Sequence, residues 1–271
     1  MLPINFHKTF IPERHFIAAL LDYSALGKSG TLQEISDHTG IPMGKSNGKL
    51  PAIIDYARGM GLIEVHTGAI KGTKVPQLTS LGKAVFTEDK YLGEEVTQWV
   101  LHMNLCRSDI GALAWNAVFV KGRSSLGSHF DTQQLEDYLV GIFGLGNDRT
   151  GPLLRTYMED AGLARTKAVE VNGTVVRKKA PLLDFYALPH TAFLLSILEA
   201  YFPKQNQVTL TDLQRETGWL DICLWREAEV EKICLLMERT GYISIDRQMQ
   251  PWIIEPLSKA DEVWPHIWDD L

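Results

Sequence analysis

Residues 31–40 read Thr-Leu-Gln-Glu-Ile-Ser-Asp-His-Thr-Gly, and residues 210–218 read Leu-Thr-Asp-Leu-Gln-Arg-Glu-Thr-Gly. Both have the form of a short helix that ends in Thr-Gly. Thr31 with Glu34 three residues later has the spacing of a capping box, in which each satisfies a backbone N–H of the other's end of the first turn. Gly40-Ile41-Pro42 and Thr217-Gly218 make the turns that follow. Working outward from residue 31, Pro12 to Leu26 places Phe16, Leu20, Tyr23 and Leu26 on one face at spacings of three and four, as a helix does. Lys45 to Met60 predicts another helix, with Ile53, Ile54 and Ala57 as its apolar stripe. Gly61 to Val65 and Lys71 to Leu78 read as a hairpin, and Leu78-Thr79-Ser80-Leu81-Gly82 starts a further helix. Helix, short helix, turn, helix, hairpin is the order of a winged helix-turn-helix.

Outward from residue 210 the order repeats. Leu188 to Tyr201 predicts a helix and Asp212 to Glu216 the short one. Leu224 to Thr240 is the long helix, and Gly241–Ile245 with Trp252–Ile254 the hairpin. Thr31-Leu-Gln-Glu-Ile lines up with Leu210-Thr-Asp-Leu-Gln, Thr39-Gly40 with Thr217-Gly218, and Met60-Gly-Leu-Ile with Thr240-Gly-Tyr-Ile. A weaker third copy lies between them. Thr132–Phe143 and Asn147–Ala161 are helical in pattern, and Lys167 to Arg177 is a hairpin turned on Asn172-Gly173, a strong short-range hairpin signal. Glu94–Cys106 and Gly111–Val120 join the first and middle copies. The expected fold is mainly α with small β-hairpins, an α+β class of tandem winged-helix-like modules with a helical linker. Its expected divisions are 1–88, 89–183 and 184–271.

The chain has 271 residues with 45% hydrophobic and 22% charged side chains, ordinary for a folded protein. The start lacks the basic and apolar regions of a secretory signal, and no apolar run is long enough to cross a bilayer. Three cysteines, Cys106, Cys223 and Cys234, without a CxxC, favour free thiols in a reducing cytosol. A net charge of −6 is unlike a generic nucleic-acid binder. Its distribution matters more: residues 1–90 carry a net +2, 91–187 a net −1 and 188–271 a net −7. The acidic C-terminal third suits a protein partner, and basic faces are expected elsewhere.

Lys45-Ser46-Asn47-Gly48-Lys49 opens the helix that a winged helix sets into the major groove. Lys45 and Lys49 would meet phosphates, Ser46 and Asn47 could reach base edges, and Lys71 and Lys74 sit on the wing. A solvated helix end is the alternative. Gly44-Lys45-Ser46 is not a P-loop, because Thr39 stands where the upstream glycine is required. A second basic set is Arg149, Arg155, Arg165, Lys167, Arg177, Lys178 and Lys179, around the middle helix and hairpin. Phosphate contact and a solvated wing are both compatible with it. Glu95, Gln98 and His102 share one stripe of the linker helix, either as an acid–base or metal pair or as hydrogen-bonding residues at the edge of the core. No HExxH, paired-carboxylate motif or nucleophile elbow occurs.

Phe6-His7-Lys8-Thr9-Phe10 followed by Arg14 resembles the opening motif of a family of uncharacterised-function domains found beside DNA phosphorothioation genes. That motif reads Gly-His-Glu-Thr-Phe, so Phe6 replaces its glycine and Lys8 its acid. Leu78-Thr79-x-Leu81-Gly82, then Asp89-x-Tyr91-Leu92-x-x-Glu95-x-Thr97-x-Trp99-x-Leu101-His102, and Trp115 with Phe119, also resemble the family. The version is similar to its SspB-like nicking components. The resemblance implies a protein that nicks DNA for sulfur insertion beside a cysteine desulfurase, an ATP pyrophosphatase and an ATPase. It carries over His7, Thr9, Arg14, Glu95 and His102. It implies a divalent metal such as magnesium, of unknown ligands, and no organic cofactor. His7 and Arg14 are expected to meet Glu95 and His102 across a groove, as a site or as a buried polar knot. The alternatives are a non-enzymatic DNA-binding component and a winged-helix transcription regulator.

Overall fold

A computed structural model describes residues 1–44 and 48–271. Residues Met1–Arg177 form one compact unit and Lys178–Leu271 a second.

The first unit begins with α1 (Arg14–Ala25), whose Ile17, Leu20 and Leu21 are fully buried. The capping box expected at Thr31 opens α2 (Leu32–Thr39), and Gly40 closes it with φ +71°. That left-handed conformation is costly for any residue with a Cβ. α3 (Lys49–Gly59) buries Leu50, Ile53, Ile54 and Ala57. Strands β1 (Ile63–Thr67) and β2 (Lys74–Leu78) pair antiparallel from Ile63↔Leu78 to Thr67↔Lys74, and Gly30 bridges to Lys74 from the stretch before α2. α4 (Ser80–Glu88) is capped by the Thr79 side chain.

α5 (Glu95–Cys106) departs from the expected two-faced linker, because every residue from Val96 to Cys106 is buried. It is a central helix, packed by α3, by α6 (Leu113–Asn116) and by the 3-10 turn Ala164–Thr166. α6 runs into a π-helical turn, Ala117–Lys121, and then α7 (Arg123–Leu126). The middle repeat follows: β3 (His129–Phe130), α8 (Thr132–Phe143) capped by an Asp131/Gln134 box, α9 (Thr150–Met158), β4 (Val169–Asn172) and β5 (Thr174–Arg177). The Asn-Gly turn holds, with Gly173 at φ +72°.

The second unit contains α10 (Ala187–Tyr201), β6 (Val208–Thr209), α11 (Leu210–Thr217), α12 (Trp219–Ile222), α13 (Glu227–Arg239), β7 (Ile243–Asp246), β8 (Ile253–Pro256) and α14 (Ala260–Val263). The long helix expected from Leu224 begins three residues later, because Leu224 adopts φ +54° and breaks the chain between α12 and α13. Its core is aromatic: His190, Phe193, Trp219 and Trp225 are all buried.

The sheets share one topology. A short strand ahead of the second helix pairs with the last strand of the hairpin, giving the orders β3-β5-β4 and β6-β8-β7; the Gly30–Lys74 bridge stands in the same place in the first repeat. The fold is α+β, helices with small antiparallel sheets. Among the described residues no helix is long and apolar enough to cross a membrane.

Candidate functional site

The opening segment is held by its apolar residues. Leu2 is buried and its backbone pairs with Gly111 and Leu113. Phe6 sets its ring edge-on to Tyr56 at 4.7 Å, and the Tyr56 hydroxyl donates to the Phe10 carbonyl at 3.0 Å. Between these anchors the chain makes tight turns, with Lys8 N–H donating to the Asn5 carbonyl and Phe10 N–H to that of His7. Lys8 adopts φ +57°, a conformation that costs a lysine about 1 kcal/mol or more. That twist turns His7 inward and leaves Lys8 and Thr9 toward solvent.

His7 is 0% exposed and lies against Trp115, ring centroids 6.2 Å apart. Trp115 donates its indole N–H to the Tyr157 hydroxyl at 2.9 Å, and Tyr157 lies 2.7 Å from His102 Nδ1. Burial lowers the pKa of His102 to about 3, so its ring is neutral. A neutral ring accepts at Nδ1 from the tyrosine O–H. His7 is likewise pushed below its ordinary value by burial. The two histidines therefore meet only through Trp115 and Tyr157, inside the core. No groove separates them, which corrects that expectation: His102 is 1% and Tyr157 3% exposed.

Arg14 and Glu95 stand apart from this network. Arg14 donates to the Asp160 carbonyl at 2.6 and 3.0 Å, and to the Leu92 and Tyr91 carbonyls at 3.3 and 3.4 Å. Its fork closes two loops instead of presenting donors to a ligand. Glu95 is exposed at the first turn of α5. Gln98 is buried, donating to the Leu92 carbonyl and accepting from Arg165 N–H.

The expected DNA-contacting residues divide sharply. Lys45, Ser46 and Asn47 lie outside the described residues. Lys49 pairs with Glu13 at 2.5 Å and lies 4.8 Å from the centre of the Phe16 ring. Arg149 and Arg177 are interior, 4% and 3% exposed. Arg149 donates to the Gly144 carbonyl at 2.8 Å. Arg177 donates to the Phe119 and Val118 carbonyls at 3.0 and 3.3 Å, in the π-helical turn. Such a turn shifts the backbone pairing register, and a buried carbonyl needs a donor; this takes both arginines out of any surface set. Lys179 pairs with Glu229. Arg155 donates to the Thr9 carbonyl at 2.8 Å, and Arg165 to the Gly93 carbonyl at 2.5 Å. Lys71, Lys167 and Lys178 are exposed and Lys74 is half-buried.

What the opening motif does build is a cleft of about 500 Å³, lined by Asn5, Lys8, Thr9, Asn147 and Asp148. Asn147 and Asp148 come from the loop before α9, where Asp148 accepts the Gly151 N–H at 2.8 Å. Asn5 Oδ1 is buried without a hydrogen-bond partner. Lys8, Thr9 and the two amides offer donors suited to a phosphate. Asp148 and the amide oxygens are hard ligands of the kind magnesium takes. Among the described residues no three His, Cys, Asp or Glu side chains gather as a metal-binding set. Sequence reading missed Asn5, Asn147 and Asp148; the turn-forming run Gly144-Leu145-Gly146-Asn147-Asp148 was the available signal.

The fold defines a class, an α+β chain of three helix-and-hairpin repeats, two in the first unit with its buried helix α5 and one in the second. Solved structures of SspB share it. A crystal structure of SspB with a bound magnesium ion matches with TM-score 0.63 at 14% identity, and a second SspB crystal structure with TM-score 0.68 at 16%. In both, 98% of this chain covers 86% of that one. The fold is SspB-like. No protein-family model matches the sequence, and no curated protein does.

Proposed function

We propose that this protein is a cytoplasmic DNA-binding component of a DNA phosphorothioation system, and that it nicks DNA so that sulfur can be inserted. The observation that carries the reading is the cleft, because its Thr9 belongs to the motif that resembles phosphorothioation-associated proteins, with Lys8 standing where that motif has an acid. The SspB-like fold over nearly the whole chain supports it. On this reading the three repeats are winged-helix modules. The second unit carries 9 basic and 15 acidic side chains, a net −6 that would repel DNA, and serves to dock a partner such as the desulfurase, the ATP pyrophosphatase or the ATPase.

In the cleft, the Lys8 ammonium neutralises a backbone phosphate, while the Thr9 hydroxyl and the Asn147 amide fix its orientation. Asp148 and the orphaned Asn5 Oδ1 fit a magnesium ion held otherwise by water and substrate phosphate. Such an ion, when bound, polarises a phosphoryl oxygen as a Lewis acid. Asp148 is fixed in place by the Gly151 N–H.

Supercoiled plasmid incubated with the protein and magnesium should convert to the open circle, and EDTA should stop it. Lys8→Ala and Asp148→Asn should each slow conversion at least about tenfold, the scale of one lost electrostatic contact. Variants that nick at the full rate would overturn the site. A second reading, binding without cleavage, is favoured by Asp148 being the sole carboxylate lining the cleft. It predicts a gel shift with the plasmid left supercoiled.

A further inference from the structure

Among the described residues the most exposed large apolar side chain is Leu145, at 90%. Single exposed leucines are common and need no explanation. This one differs in how it is carried. It stands between Gly144 and Gly146, at the end of α8, two residues before Asn147 of the cleft. Gly144 has φ +74°, open to glycine at little cost. A Cβ on Gly146 would fall 2.3 Å from Arg149 Nη2. Arg149 itself is buried and ties the loop shut through the Gly144 carbonyl at 2.8 Å, with its guanidinium 5.9 Å from the Phe143 ring centre. Asp148 fixes the other end on α9. A buried arginine and two glycines thus hold a short loop in one shape, and what that shape displays is a leucine.

An apolar residue held rigidly in water beside a phosphate-binding cleft has a known physical use. Leucine, like phenylalanine or methionine, can enter a base step, unstack it and kink the duplex, while neighbouring polar groups hold the backbone. We propose that Leu145 is such a wedge. It enters the base stack beside the phosphate held by Lys8, Thr9 and Asn147, and opens the step next to the nicked bond. The inference rests on the DNA-binding reading above. It explains why an apolar tip is set on a loop whose next residues are polar cleft residues. A kink at one step sets one strand's phosphate into the cleft and turns the other strand's away, which suits cutting a single strand.

The test uses the full chain and short mixed-sequence duplexes that carry 2-aminopurine at successive positions, with calcium in place of magnesium to hold cleavage back. 2-Aminopurine brightens when it loses its stacking neighbours. The wild-type protein should raise the fluorescence severalfold at bound positions. Leu145→Ala should remove most of that rise, and Leu145→Met should keep it. Melting temperature and the dependence of affinity on salt should be unchanged in both, because phosphate contacts set the salt slope. A rise of equal size in Leu145→Ala, or wild-type binding with no rise, overturns the wedge and leaves the DNA reading standing. Failure of the wild-type protein to bind any duplex overturns both.

Discussion

Acidification should destabilise this protein well above the pH at which its carboxylates titrate. His102 and His190 are each buried in aromatic surroundings that lower the pKa to about 3. In the unfolded chain a histidine titrates near 6.5. Each folded-state pKa is therefore depressed, and the unfolded state binds a proton that the folded state refuses. Stability is full above about pH 6.5 and falls as the pH drops from there toward 3. The slope is about 1.4 kcal/mol per pH unit for each site, so lowering the pH to about 5 costs roughly 2 kcal/mol per histidine. His7, also lowered by burial, acts in the same direction in the first unit. Urea unfolding followed by tryptophan fluorescence across this range measures the effect, since Trp115, Trp219 and Trp225 are all buried. His102→Leu should be less stable than wild type near pH 7.5, because Tyr157 loses its acceptor. It should also lose one histidine's share of the slope. An unfolding midpoint that is flat between about pH 7.5 and 5, or an unaltered slope in the variant, would show that these rings are not held neutral.

Two more substitutions test what the structure assigns to single residues. Arg177→Ala should lower stability by at least about 2 kcal/mol by stranding the Val118 and Phe119 carbonyls, while leaving the salt slope of DNA affinity unchanged; a flattened slope in a stable variant would return Arg177 to the interface. Gly82→Ala should cost roughly 1–3 kcal/mol, since its Cβ would lie 1.9 Å from the Leu62 carbonyl oxygen; a variant that melts with the wild type would refute the close approach.

The repeats were legible because their signals are local. Thr31 and Glu34 cap α2 as their spacing predicts, α8 spans Thr132–Phe143, and Gly173 turns the middle hairpin. The motif residues also find physical reasons. Thr79 caps α4 and donates to the Gly61 carbonyl, Gly82 lets α4 approach Leu62, and Asp89 accepts the Gly93 and Glu94 N–H groups ahead of α5. Less legible was the depth of α5. Its polar stripe reads as a surface, yet Gln98 finds partners in nearby Leu92 and in Arg165, and His102 in Tyr157, the last two brought in from distant parts of the chain. Nor does periodicity distinguish an arginine that binds phosphate from one that closes a loop. Arg14, Arg149 and Arg177 all donate to backbone carbonyls.

Hydrogen-bond partners separate the residues that hold this fold from those offered to a ligand. The histidines that attract a catalytic reading are enclosed in the core: Tyr157 satisfies His102 Nδ1 and the Trp115 indole, while His7 Nδ1 and Nε2 are buried without a hydrogen-bond partner. Several further features come together beside the cleft. Lys8 holds a left-handed backbone, and Asn5 Oδ1 is buried with no donor. Asn147 and Asp148 are exposed beside them, on a loop whose tip is a leucine in water. An orphaned acceptor and an exposed apolar side chain each cost free energy in the isolated protein, and each would be relieved by a ligand that is anionic, metal-associated and stacked. A DNA strand with its cation has all three properties, so under the proposed function the cleft, and not the buried histidines, is where Lys8→Ala and Asp148→Asn should tell.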